Sequence, residues 1–272
     1  DLETARDRLE RERDELAEHC RRLSAEVEAG HAREQKLRTD FNNLSRWLSE
    51  FSPQQTVQRM RVDWEDRART NPWYFTASGN ENWTRDAYFA TGETNIAEYI
   101  LSDMGNIAQG ADPKQLRVLE LGCGAGRMTH ALARVFGEVH AIDLSAEMVR
   151  LCRENTADCP NVYVHQNNGM DLAPVHHLQF DFALSFIVFQ HIPSKEIVEG
   201  YIREVRRVLK PGGLFKFQTQ GVFTEGYDPT DTWHGAGYTE AELHAIAART
   251  GFELRYSQGH DTQEYWLWFF AR

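Results

Sequence analysis

Residues 119–129 read LELGCGAGRMT, an apolar run that gives way to glycine at every second position: Gly122, Gly124 and Gly126. Glycine lets the backbone take positive φ and lets a ligand lie against it, and a helix that opens next offers free N–H groups. Enzymes that seat a pyrophosphate at such a helix start use the spacing G-x-G-x-x-G. Here the spacing is G-x-G-x-G, with Glu120 just ahead of it. A carboxylate there repels pyrophosphate and suits a ligand carrying an ammonium group. At the end of the next apolar segment stands Asp143, 21 residues after Gly122, where a carboxylate can accept from both hydroxyls of a ribose.

Around this loop, strands and helices alternate. RVLEL (117–121), EVHAID (138–143), NVYVHQ (161–166), FDFALSF (180–186) and LFKFQTQ (214–220) read as strands. Helices are expected at MTHALARVF, from Ala146, over 195–209 and in TEAELHAIAARTG. Two final strands, FELRYSQ and EYWLWFFA, are a short turn apart and predict an antiparallel hairpin at one edge. The expected fold is α/β, an open seven-stranded and mostly parallel sheet with helices on both faces and an antiparallel last strand.

VLELGCGAGRMT, followed by VHAIDLSAEMV and then VLKPGGLF, resembles the class I S-adenosylmethionine-dependent methyltransferases of the bacterial small-molecule type. The likeness spans about residues 90–272. It implies S-adenosyl-L-methionine as cofactor, in the crevice at the strand carboxyl ends. By that resemblance Glu120 neighbours the methionyl ammonium, Gly122, Cys123, Gly124 and Gly126 form the loop beneath methionine and sugar, and Asp143 holds the ribose. Leu144 and Met148 pack on the adenine. Where the family often has an aspartate followed by a small residue, this chain has Asn168-Gly169-Met170; Asn167 or Asp171 could serve instead of Asn168. Phe186 and Gln190, in SFIVFQHIPS after the fourth strand, are expected beside the donor.

That segment lacks the Asn/Asp-Pro-Pro-Tyr/Phe sequence of base-amino methyltransferases, and the formal net charge of −11 repels phosphate backbones. Both argue against nucleic acid as a partner. His191 is the candidate catalytic base, since an imidazole near neutrality can take a hydroxyl proton; a histidine bonding backbone at a turn is the alternative. The loop 221–238, with Tyr227, Asp228, Asp231, Trp233 and His234, has an aromatic and acidic lining suited to a sugar or other polyol. The expected reaction is O-methylation of a polar small molecule or glycan. His165, His176 and His177 match no ligand spacing, so no metal is expected.

Residues 1–51 differ from the rest, with 13 acidic and 10 basic residues, one glycine and no proline. Every seventh residue from Leu2 gives Leu9, Leu16, Leu23, Gly30, Leu37, Leu44 and Phe51, alternating with Arg6, Arg13, Cys20, Val27, Glu34, Phe41 and Leu48. That is a coiled-coil heptad, and it predicts a homodimer through residues 1–51. A long solvated helix folding back on its own domain is the alternative. A second function class follows from the same segment: an interaction protein or scaffold whose coiled coil docks a macromolecular partner. Residues 52–110, rich in Trp, Tyr and Phe, predict a helical cap with one helix over 93–106, leaving 111–272 as the cofactor-binding domain. Four scattered cysteines, no span of about 18 apolar residues and no signal-peptide pattern suit a cytoplasmic protein without a membrane span.

Overall fold

The computed structural model describes residues 2–50, 52–222, 228 and 230–272, and within the first helix the side chains of residues 12, 13 and 15–41. Two compact units divide at Ser52/Pro53. The first is one helix, α1 (Leu2–Glu50). Its seam residues Leu16, Leu23, Val27, Leu37 and Phe41 are all exposed, as is Cys20. The side chains of Leu2, Arg6, Leu9, Leu44 and Leu48, and Phe51 as a whole, lie outside the described residues.

The second unit begins with a helical cap, α2 (Pro53–Thr70), α3 (Pro72–Thr76), α4 (Arg85–Tyr99) and α5 (Met104–Ala108). The expected helix over 93–106 is divided, α4 ending at Tyr99 and α5 opening at Met104, and it starts eight residues earlier, at Arg85. Thr84 is the reason: its side chain accepts from the Ala87 amide and caps the helix. Asn71 caps α3 in the same way, with Pro72 at its first position.

Beyond the cap run β1 (Arg117–Leu121), α6 (Arg127–Val135), β2 (Glu138–Asp143), α7 (Ala146–Asn155), β3 (Val162–Gln166), β4 (Phe180–Ser185), α8 (Lys195–Val208), β5 (Leu209–Thr219), α9 (Glu240–Thr250), β6 (Phe252–Gln258) and β7 (Tyr265–Ala271). The strand order is β3-β2-β1-β4-β5-β7-β6. All neighbours pair in parallel except β7, which inserts antiparallel between β5 and β6. β5 starts five residues before the expected strand, because Leu209 already pairs with Phe180; an irregularity in register between Phe180 and Phe182 absorbs Lys210–Gly213.

Alternation along each strand feeds two cores. Leu119, Leu121, Ala183, Phe215, Phe217, Leu267 and Phe269 face α8 and α9 through Ile197, Ile202, Val205, Leu243 and Ile246. Val118, Val139, Phe182, Leu184, Leu214 and Phe270 face α4 and α6 through Ile96, Ile100, Met128 and Leu132. The chain reverses direction of winding between β1 and β4, and such a switch opens a crevice at the strand carboxyl ends. Leu121, Asp143 and Ser185 end there, so the loops they launch converge on one place.

Candidate active site

A cavity opens at that switch point, walled by the glycine loop, the ends of β2 and β4, and the cap. The loop's geometry explains its glycines. Gly122 has φ +73° and Gly124 φ +53°, and a Cβ on either would lie 2.3 Å from Val188 Cγ2 or 2.7 Å from Thr76 Cγ2. Gly126 (φ +90°) is the residue preceding α6, its back against Cys152, and it does not line the cavity.

Asp143 stabilises the loop directly. Its Oδ2 accepts from the Gly124 amide at 2.9 Å and its Oδ1 from the Ser145 amide at 2.9 Å. Each carboxylate oxygen has a second lone-pair direction left for a ribose hydroxyl. Burial pushes its pKa up, opposed by those amides. Glu120 lies deeper, 4% exposed, and its Oε2 accepts from the Thr129 hydroxyl at 2.6 Å. Burial lifts its pKa to about 8 against the Thr129 hydrogen bond and the nearby Arg127. A buried carboxyl so poised gains most from a cationic neighbour.

Leu144, Met148, Cys123 and Phe186 also line the cavity, while Asn168, Gly169, Met170 and Gln190 do not. Asn168 is exposed and organises a turn: its Oδ1 accepts from the amides of Met170 and Asp171 at 2.8 and 3.0 Å. The cavity-lining residue is its neighbour Asn167. Asn167 Nδ2 donates to Tyr201 Oη at 2.8 Å, and its buried Oδ1 has no partner, an open acceptor in the wall. Gly169 (φ +84°) passes under Val57 of α2, and Met170 points outward. Side-chain direction alternates along an extended segment, so an offset of one residue moves the lining position to its neighbour.

His191 is buried at the far end of the cavity. Its Nδ1 lies 2.5 Å from the Trp233 carbonyl, which only accepts, so Nδ1 carries the proton and Nε2 the lone pair. Gln190 Nε2 donates to His191 Nε2 at 3.3 Å, and Gln190 Oε1 accepts from Gln218 Nε2 at 3.2 Å. Burial drives the His191 pKa down to about 4. Trp64 and Trp233 flank the ring at 5.3 and 4.7 Å between centroids. Arg67 lies over both indoles and donates to the Thr232 carbonyl, while Thr232 Oγ1 donates to Asp63 Oδ2 at 2.6 Å, tying α2 to the loop that carries Trp233. Asp231 and His234 pair at 2.6 Å beside it; Tyr227 lies outside the described residues.

The sequence left several lining residues unassigned: Arg127, Tyr88, Thr76, Phe75 and Met60; of the cap aromatics Trp64, Tyr74, Trp83 and Phe89, which the sequence offers either to cover the cofactor or to pack the core, Trp64 lines the cavity. Arg127 is 6% exposed and bonds Thr91 and Asn95, its guanidinium 5.8 Å from the Phe186 ring. A charged residue at the first turn of the loop's own helix was the available signal. Tyr88, fully buried, shares a 2.7 Å hydrogen bond with Thr76. His165 stacks on His140 instead of joining His176 and His177, and among the described residues those three form no ligand group.

Residues 118–213 match a family described as a methyltransferase domain. Fold, loop and match define the class: the chain carries a class I S-adenosylmethionine-dependent methyltransferase domain. Ubiquinone biosynthesis O-methyltransferase of Xanthomonas axonopodis pv. citri (strain 306) is 32% identical over 109 residues, 40% of this chain and 44% of that protein. Demethylmenaquinone methyltransferase of Staphylococcus aureus (strain MRSA252) is 33% identical over 104 residues, 37% of this chain and 42% of that one. These matches span less than half the length of those curated relatives. In three dimensions the fold is similar to that of magnesium protoporphyrin IX methyltransferase from Synechocystis PCC 6803 with bound SAH, at TM-score 0.56 and 16% identity, over 76% of this chain and 98% of that one. Among the described residues, no helix is long and apolar enough to cross a membrane.

Proposed function

We propose that this chain transfers the methyl group of S-adenosyl-L-methionine to a hydroxyl of a small molecule. The observation that carries this reading is the set of charged and accepting groups that converge on the cavity. Glu120 and Arg127 lie together at one end, and the unpartnered Asn167 Oδ1 faces inward. An amino-acid zwitterion fits the first pair, its ammonium toward Glu120 and its carboxylate toward Arg127. An exocyclic adenine amine fits the lone acceptor, and Asp143 stands ready for a ribose between. The cofactor supplies an electrophilic methyl when bound; the residues here orient it and exclude water.

For the acceptor, Trp64, Phe75 and His191 line the cavity with Trp233 packed against all three, an aromatic wall that favours a flat or ring-bearing molecule, and Asp231 and His234 pair beside Trp233. A sugar or other polyol suits aromatic faces bordered by a carboxylate. A phenolic hydroxyl is the competing acceptor, favoured by the apolar wall of Phe186, Val188, Phe189 and Ile192 and by the quinone-pathway names of the curated relatives. In either case Nε2 of His191, with Nδ1–H held on Trp233, is the proposed receiver of the hydroxyl proton, the acceptor hydroxyl displacing the long Gln190 N–H contact that Nε2 accepts at 3.3 Å. At a pKa of about 4 it holds that proton only transiently and returns it to solvent.

The exposed heptad of α1 supports a homodimer, and the cap of 52–110 with the domain of 111–272 is proposed as one catalytic unit. The scaffold reading rests on the same exposed heptad, with a macromolecular partner in place of a second copy. A turnover screen with labelled donor against sugars, nucleotide sugars, phenols and amines tests the whole. Turnover on a sugar or phenol by a chain lacking residues 1–52 supports the enzyme. Donor binding without turnover on any small acceptor, together with α1-dependent capture of a macromolecule, favours the scaffold.

A further inference from the structure

Outside the cavity, one group among the described residues brings three metal-ligating side chains together: His130, Asp158 and Cys159. They come from two segments. His130 sits in the first full turn of α6, its amide on the Gly126 carbonyl at 3.0 Å. Asp158 and Cys159 lie in the turn between α7 and β3, fixed by Cys159 N–H to Thr156 O at 2.9 Å and Val162 N–H to Cys159 O at 3.1 Å. The Phe89 ring stands edge-on to His130 at 5.6 Å and limits its rotation.

The three side chains hold one another only by weak contacts, at spacings that a shared ion can take over. His130 Nε2 and Asp158 Oδ2 are 3.6 Å apart, too long for a good N–H···O bond. The Cys159 thiol donates to Asp158 Oδ1 at 3.6 Å, a weak S–H···O hydrogen bond, and one ligand atom from each of the three residues lies within 4.8 Å of the others. Ligands at about 2.0–2.3 Å from a tetrahedral zinc ion are separated by about 3.3–3.6 Å. His130 and Cys159 each already lie near that length from one oxygen of Asp158, and the remaining separations, none above 4.8 Å, close with side-chain motion of about an ångström. The donor set is one neutral nitrogen, one carboxylate and one thiolate, whose two negative charges neutralise a divalent cation.

We propose that His130, Asp158 and Cys159 bind a divalent transition-metal ion of the zinc class, with water as the fourth ligand on the exposed Asp158 side. Coordination exchanges the Sγ proton of Cys159 for the metal and releases it to solvent, with no change of oxidation state. The ion braces α6, one turn after the glycine loop, against the entry to β3, and so stiffens the helix on which the donor loop rests.

The test is titration with Co²⁺ alone, in a chain carrying Cys20→Ser to remove the exposed thiol of α1. One Co²⁺ per chain is expected, with thiolate-to-cobalt charge-transfer absorption and the visible bands of four-coordinate cobalt, displaced by one equivalent of Zn²⁺. Cys159→Ser abolishes the charge-transfer band, and His130→Ala weakens binding at least tenfold; circular dichroism of each variant checks the fold. Absence of the thiolate band in the Cys20→Ser chain overturns the site, as does its persistence in folded Cys159→Ser. If either variant misfolds, the surface change Asp158→Asn reads the same loss.

Discussion

Glu120 makes the proposed donor site testable through protons alone. In the free protein burial holds its pKa at about 8, so at pH 7 about 0.9 of the molecules carry a proton on this carboxyl. A methionyl ammonium set beside it favours the ionised form and expels that proton. Calorimetry of S-adenosyl-L-methionine binding, repeated at pH 7 in buffers of different ionisation heat, should therefore report release of about 0.9 proton per site, set by that pKa. Affinity follows the same curve. The ionised fraction rises from about 0.01 at pH 6 to about 0.09 at pH 7, so Kd should fall about ninefold over that interval. His191 and His165, both pushed down to about 4, stay neutral across it and add nothing. For stability the sign is opposite. A carboxyl raised above its unfolded value contributes most below the unfolded pKa, and that contribution is lost as pH rises toward 8. The ligand-free chain should thus weaken between pH 5 and 8 while donor binding strengthens. Glu120→Gln removes both effects. A zero proton count in the wild-type chain, or the same count in Glu120→Gln, would refute an ammonium beside this carboxyl.

Asp143→Ala orphans the Gly124 and Ser145 amides and removes the ribose acceptor, so donor affinity should drop by at least a hundredfold at about 1–3 kcal/mol per lost bond; calorimetry giving wild-type affinity would discard the assignment. Gly122→Ala puts a Cβ 2.3 Å from Val188 at φ +73°, and should lower the melting temperature and donor affinity together; adding Val188→Ala relieves the clash but not the backbone strain, so only partial recovery is expected. His191→Ala should leave donor binding intact and slow transfer. With a pKa near 4, the wild-type rate should lose its base only as pH falls through about 4 and show no His191 inflection between 6 and 7. Removing residues 1–52 should convert a dimer to a monomer in sedimentation, and oxidation of the intact chain should crosslink Cys20 if the helices run parallel and in register; a monomer at full length ends the dimer reading.

What the sequence made legible, and what it hid, divides along a physical line. Strands with both faces buried are constrained residue by residue, and RVLEL and EVHAID match β1 and β2 end to end; FELRYSQ matches the largely exposed edge strand β6 because Gly251 and Gly259, both at positive φ, bound it. The glycine loop was legible for the same reason: positive φ and sub-van-der-Waals contacts leave no other residue type at Gly122 and Gly124. Legibility failed where a position is fixed by contacts distant in sequence. Asn167 and Asn168 are the same residue type in the same local setting, and only the hydrogen bond to Tyr201, 34 residues away, says which one faces the cavity. Arg127 drew no assignment from the sequence, because it is Thr91 and Asn95 of the cap, more than 30 residues away, that enclose it. The imidazole of His191 shows the consequence for chemistry. From sequence it is a base near neutrality; burial among Trp64, Trp233 and their neighbours makes it a neutral acceptor with a pKa near 4, against the Trp233 carbonyl, which fixes its tautomer and pulls the pKa up. The burial that holds its ring in place weakens its hold on a proton. An acceptor hydroxyl that is itself acidic therefore fits this site better on proton affinity, while the carboxylate beside Trp233 fits a polyol better on hydrogen bonding, and the turnover screen decides between those two demands.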